Sequence, residues 1–253
     1  MAMTTLHQVM RQAPRVFPPA HVGDYFEALE RGDHERLALY QSEDPERHEA
    51  KLGEARRMVA ARVAAEAFER KHARSERLRT AGAKLRDEAL DAVVDGNPDL
   101  TEAVSAVRGW WANRKTPWLV LSGSAGTGKT VAIADLIADH GGMWMRAPDL
   151  VRTFVGNFGD PEERRQRAFN VNLLAIDDVG VGEKDAERTE LALLELFDER
   201  PSARETPTIM SSNLMSQPFA KLYPNDRLHS RMAELVTWVS LKPGDLRRKR
   251  GAK

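Results

Sequence analysis

The segment Gly123-Ser124-Ala125-Gly126-Thr127-Gly128-Lys129-Thr130 constrains this chain more than any other feature, because it satisfies the spacing G-x-x-x-x-G-K-[ST]. An apolar run, Trp118 to Leu121, feeds it, and a helical pattern leaves it. Glycines at these places let successive backbone N–H groups turn inward around phosphate oxygens, and the helix N-terminus adds its positive dipole end. Lys129 then reaches the β- and γ-phosphates, and the Thr130 hydroxyl ligates Mg²⁺. A turn of purely structural purpose needs neither the lysine nor the hydroxyl, so the segment reads as a binding loop for Mg²⁺ and ATP.

From Pro117 onward, strand and helix patterns alternate, which predicts a parallel sheet covered by helices. The strands read as Trp118 to Leu121, Met143 to Arg146, Leu173 to Asp177, Thr208 to Ser212 and Val236 to Leu241. The third ends in two carboxylates, Asp177 and Asp178, where a Walker-B element belongs. Asp177 is placed to hold Mg²⁺, and Asp178 to orient or deprotonate the water that attacks the γ-phosphate. Solvated aspartates at a strand end are the plain alternative. The fourth strand ends at Asn213, which is either a turn former or a donor to phosphate at the carboxyl edge of the sheet, where open α/β folds bind ligands.

The N-terminal part differs in character. Between Glu46 and Leu90, Ala, Glu, Arg and Lys dominate and proline is absent, so one long helix or two stacked ones are expected. Leu52, Ala55, Val59, Val63 and Ala67 form a narrow apolar stripe suited to Tyr25, Phe26, Leu29, Leu37 and Leu39. Arg70, Lys71, Arg74, Arg77, Arg79, Lys84 and Arg86 then crowd together, as a solvated face or as a surface for nucleic acid or a partner. The turn-forming cluster from Asp95 to Asp99 suggests a boundary, giving a helical module over 1–95 and an ATPase core over 96–253. The 38 Lys and Arg balance 38 Asp and Glu, so no overall basic field exists. There is no cysteine, and no apolar run approaches the ~20 residues needed to span a bilayer. A cytoplasmic protein without membrane association is expected.

Taken together, the phosphate loop, Leu173-Leu174-Ala175-Ile176-Asp177-Asp178-Val179-Gly180, Thr208-Ile209-Met210-Ser211-Ser212-Asn213, Asp226-Arg227-Leu228-His229-Ser230-Arg231 and Gly244-Asp245-Leu246-Arg247-Arg248 resemble the DnaC/IstB group of AAA+ ATPases. The resemblance runs from about Pro117 to the C-terminus. It implies an AAA+ core with a minimal lid or none, ATP-dependent homo-oligomers, and hydrolysis at subunit interfaces. Arg231 matches the arginine finger that reaches a neighbour's γ-phosphate, and Lys129, Asp178 and Asn213 complete the catalytic set. Read without the resemblance, Arg227 and Arg231 form an ordinary surface ion-pair pattern.

The same resemblance implies a helicase loader that partners a replicative helicase and grips single-stranded DNA. Phe158, Arg164 and Arg165 are the contacts it points to, by stacking and backbone neutralisation. Phe154 is read equally as core. A transposition helper that acts on duplex DNA and recruits a transposase is the alternative. An ATP-gated binding module with little turnover is another, motivated by Asp178 where the family usually has glutamate. The partner of the N-terminal module and the adenine pocket carry no motif.

Overall fold

The computed structural model describes residues 20–96, 98, 101–155, 161–180, 185–200 and 206–243. The chain divides into two compact units with the boundary between Glu69 and Arg70.

In the first unit, helix α1 (Val22–Arg31) ends on Gly32, whose left-handed backbone (φ 65°) lets its N–H bond back to Ala28 and Leu29. Helix α2 (His34–Glu43) starts at Asp33, whose carboxylate accepts the Arg36 amide. Helix α3 (Pro45–Ala81) is one unbroken helix that runs through the unit boundary. Tyr25, Ala28, Tyr40, Leu52 and Ala55 form a small core, and the Tyr25 hydroxyl lies 3.1 Å from His48 Nδ1. The expected stripe is only half used. Val63 is 59% exposed and Leu39 51%, so burial along α3 in this unit ends near Ala55.

The second unit begins inside α3, and the physical reason is Arg74. Its guanidinium is buried and donates to Val93 O and to Asp135 Oδ1 at 2.8 Å, and also pairs with Asp139. Leu78 and Ala81 of the same helix sink into the core. Helices α4 (Asp87–Val94) and α5 (Glu102–Ala112) follow. The turn at 95–96 therefore lies inside this unit and does not bound it, in contrast to the expected cut between 95 and 96.

The rest of the unit is β1 (Trp118–Ser122), α6 (Lys129–His140), β2 (Met143–Arg146), α7 (Ala147–Phe154), α8 (Pro161–Asn170), β3 (Leu174–Val179), α9 (Ala186–Glu199), β4 (Thr208–Ser212), α10 (Ser216–Leu222), α11 (Asp226–Leu235) and β5 (Val236–Ser240). All pairings are parallel, in the order β2-β3-β4-β1-β5. Alternation along the strands sorts their side chains into two cores, as a pleated strand requires. Leu119 and Leu121 join α4, α5 and α6 on one face, while Trp118 and Val120 join α7, α9 and α11 on the other. Trp118 stacks on Phe197 with ring centroids 4.0 Å apart. An α/β P-loop fold results, with a parallel sheet covered on both faces. Among the described residues, no helix is long and apolar enough to cross a membrane.

Candidate functional site

The chain leaves β1 at the carboxyl edge of the sheet and turns directly through the phosphate loop. Gly126 and Gly128 hold positive φ (85° and 86°), and Gly128 caps α6 in the left-handed region that side chains disfavour. A Cβ on Gly123 would stand 3.1 Å from Leu241 Cβ, so that glycine also admits the segment after β5. Lys129 is buried at the start of α6, and its Nζ donates to Gly123 O (2.7 Å) and Ser124 O (2.9 Å) within the loop.

Because β4 lies between β1 and β3, the loop after β1 and the acids at the end of β3 share one edge of the sheet. Thr130 Oγ1 lies 3.2 Å from Asp177 Oδ2 and 3.4 Å from Oδ1. Asp177 is 4% exposed, and burial raises its pKa above the usual carboxylate range; bonds from Ser211 and Thr130 oppose that rise. Asp178 is exposed and carries φ 61°, the one positive φ among the described non-glycine residues. Asn213 immediately follows β4 at the same edge and is exposed.

The paired Thr130 and Asp177 offer an all-oxygen donor set. Mg²⁺ takes one or two protein oxygens and fills its remaining octahedral positions with water and phosphate, so these residues fit it. Among the described residues no group of three or more His, Cys, Asp or Glu is placed to hold a metal ion.

Arg231 is not brought to this edge. It lies on α11, which runs straight into β5, and Val236 of β5 pairs with Trp118 at the opposite end of β1. Asp198 draws both arginines of α11 together: Arg227 Nη2 lies 2.8 Å from Oδ2 and Arg231 Nη2 lies 3.6 Å from Oδ1. Asp198 gave no signal in the spacing of the sequence.

The residues read as DNA contacts separate. Phe158 lies outside the described residues. Arg164 is exposed. Arg165 pairs with Glu195 and packs 5.8 Å from the Phe154 ring and 5.9 Å from that of Phe169, so its charge is engaged within the fold. Phe154 is core. Arg164 does line a groove of about 470 Å³ together with Lys84, Arg146, Arg167, Asp149 and Glu163. The basic run near the end of α3 is divided: besides Arg74, Arg77 caps the Ala138 and Asp139 carbonyls of α6, whereas the Arg79–Glu76 and Lys71–Asp95 pairs are exposed.

Ser211 escaped the sequence reading as a functional residue. It is fully buried on β4, donates its hydroxyl to Asp177 Oδ1, and accepts the Asp178 amide at 2.9 Å. Two consecutive serines on a short, fully buried strand were the available signal.

No family model matches the chain, and no curated protein does. Solved structures similar to it include a DNA replication initiation factor (23% identity, TM-score 0.45, covering 62% of this chain and 47% of that one). The DnaC helicase loader has 18% identity and a TM-score of 0.44, covering 63% and 93%. Domain III of the replication initiation protein DnaA from Thermotoga maritima has 21% and 0.44, covering 59% and 65%. The match thus spans about half the length of the replication initiation factor. With these TM-scores below 0.5, the strand order and the loop geometry are what establish the fold.

Proposed function

We propose that this chain is an AAA+ ATPase of the helicase-loader type, which binds Mg²⁺ and ATP at the loop of Gly123 to Thr130 and shares its active site between protomers. The observation that carries the ATPase reading is the approach of Thr130 to Asp177 across two strands, beside the buried Lys129. Lys129 answers the charge of the β- and γ-phosphates, and Thr130 and Asp177 hold Mg²⁺. The metal, when bound, neutralises charge that builds on the phosphate oxygens. Asp178 orients the attacking water, and Asn213 donates to the γ-phosphate from the same edge. Hydrolysis in such a site is mostly positioning and charge stabilisation.

The sharing of the site is supported by the position of Arg231 at the far side of its own sheet, tethered to Asp198. A finger in that place serves a neighbour. The loader role, with a replicative helicase as partner of the N-terminal module, rests on the motif order set out in the sequence. The exposed Arg164 and its groove favour a nucleic-acid backbone as the second ligand. For a transposition helper on duplex DNA, Arg74 and Arg77 of the Arg70 to Arg86 run are withdrawn from contact, since both are bonded within the fold. The short side chain of Asp178, where the family usually has glutamate, favours slow turnover, which keeps the ATP-gated module as the second reading.

The test is fluorescence anisotropy with labelled single-stranded and duplex oligonucleotides of equal length, with ATP or ADP, at several salt concentrations. Loader function predicts ATP-dependent binding to the single strand that weakens with salt. Preference for duplex supports the transposition helper, and no binding to either removes DNA from the account.

A further inference from the structure

We infer that Ser211 is the positioning residue of the nucleotide site: its one hydroxyl sets both Walker-B aspartates, fixing the Asp177 carboxylate beside Thr130 and pinning the backbone of Asp178. The inference rests on the ATPase reading and adds to it a role for a residue that the sequence reading left without one.

The geometry begins with strand register. Ile176 pairs with Met210 and Val179 pairs with Ser212, so the single residue Ser211 stands opposite two residues, Asp177 and Asp178. This is a β-bulge, in which one strand carries an extra residue and the ladder is locally interrupted. The packing records it. Leu174 and Ile176 lie in one core and Ala175 in the other, so strict alternation would send Val179 to the face of Ala175. Val179 lies instead with Leu174 and Ile176. The alternation is reset between Asp177 and Asp178, where φ reaches 61°.

A bulge leaves backbone groups without ladder partners, and a buried group so left is costly. Ser211 answers this with its side chain. The hydroxyl has one proton and two lone pairs. Its proton goes to Asp177 Oδ1, and a lone pair accepts the Asp178 N–H at 2.9 Å. The two bonds give the hydroxyl a single orientation. Thr130 approaches the same carboxylate, chiefly at Oδ2, so Asp177 is held between the phosphate-loop helix and the fourth strand. Asp178 takes a positive-φ backbone conformation that non-glycine residues rarely adopt, and such strain persists only where neighbours over-determine it. Ser211 is such a neighbour. It acts through the two acids.

Ser212 provides the internal control. It is equally buried on the same strand, but its hydroxyl donates to Val179 O and accepts the Leu214 amide.

The experiment uses the full chain with Ser211→Ala, Ser211→Thr and Ser212→Ala. Affinity for a fluorescent ATP analogue is measured by titrating Mg²⁺ and again in excess chelator, with melting temperature and steady-state turnover alongside. Removing an outer-shell partner of a metal ligand costs roughly 10- to 100-fold in metal affinity or activity. Ser211→Ala is therefore expected to raise the half-saturating Mg²⁺ concentration by about ten-fold or more, to lower turnover, and to leave affinity in chelator unchanged. Ser211→Thr keeps the hydroxyl and stays near wild type. Ser212→Ala lowers the melting temperature without moving the Mg²⁺ midpoint.

A folded Ser211→Ala with a wild-type Mg²⁺ midpoint overturns the inference, and so do equal shifts in Ser211→Ala and Ser212→Ala. A wild-type chain that binds the analogue equally with and without Mg²⁺ overturns the ATPase reading, and the inference with it.

Discussion

The hydroxyl of Thr130 and the carboxylate of Asp177 stand 3.2 Å apart, one at the start of α6 and the other near the end of β3. Their approach is the basis of the Mg²⁺ site proposed above, and it also has a cost. Burial raises the Asp177 pKa, so the ionised carboxylate opposes folding at neutral pH; the sign follows because stability linked to a raised pKa is complete below the unfolded value and is lost as pH rises through the folded one. Asp177→Asn is expected to melt higher than wild type in chelator and to lose the increase in melting temperature that Mg²⁺ with ATP gives wild type. A thermal shift series with and without Mg²⁺ measures both.

Arg200 is expected to be indispensable to the fold though remote from the chemistry. It is 1% exposed, and its guanidinium donates to the carbonyls of Ala168, Phe169, Val171, Thr206 and Pro207 and to the Thr208 hydroxyl. Ala168 and Phe169 belong to the last turn of α8, whose carbonyls run out of helical N–H donors. Burial lowers the pKa to about 10, still charged at neutral pH. Arg200→Met strands several buried acceptors, each worth about 1 to 3 kcal/mol when unsatisfied, so urea denaturation should show a loss of at least about 3 kcal/mol.

The basic run of α3 yields a contrast between two arginines of one helix. Asp135 is 2% exposed and is held by Arg74 at 2.8 Å and by Arg108 at 2.8 Å. Breaking a buried pair from one side costs about 3 to 5 kcal/mol, so Arg74→Ala should destabilise by the lower part of that range, Arg108 remaining. Arg70→Ala, at an exposed position, should stay within about 0.5 kcal/mol. Equilibrium unfolding of the two variants decides it.

A pH effect is expected from His140. Its ring lies 4.3 Å from that of Trp111, and burial first, then Arg114, Arg77 and Arg74, lower its pKa against a smaller opposing pull from Asp135. A lowered histidine contributes stability that is present above its unfolded value of about 6.5 and is lost as pH falls through the folded value. The urea midpoint of wild type should therefore rise with pH up to that unfolded value, and His140→Gln should flatten this part of the curve.

The sequence made the sheet legible because its strands are short, apolar and bounded by turns. Met143 to Arg146 and Thr208 to Ser212 have the expected limits, and the phosphate loop sits where strand and helix demanded. Relations made by three-dimensional pairing were not legible. Spacing along α3 does not tell that Arg74 is buried and Arg70 exposed, since both look like a solvated face until Asp135 and Asp139 are brought beside one of them. For the same reason the unit boundary was read at a turn, whereas α3 crosses it unbroken. Ser211 was hidden because a bulge has no signature in residue type. Asp198 was hidden because its partners lie on another helix, α11.

Under the proposed function, two protomers complete one ATP site. The measurement is steady-state ATP hydrolysis per protomer across a range of protein concentrations, for wild type and Arg231→Ala, with nucleotide affinity measured in parallel. A finger supplied by a neighbour accelerates hydrolysis by ~10³ to 10⁵. A shared site gives a wild-type rate that climbs with concentration, and an Arg231→Ala rate that stays flat and low while ATP still binds. A rate per protomer independent of concentration and unchanged by Arg231→Ala contradicts the shared site and leaves the ATP-gated module as the better description.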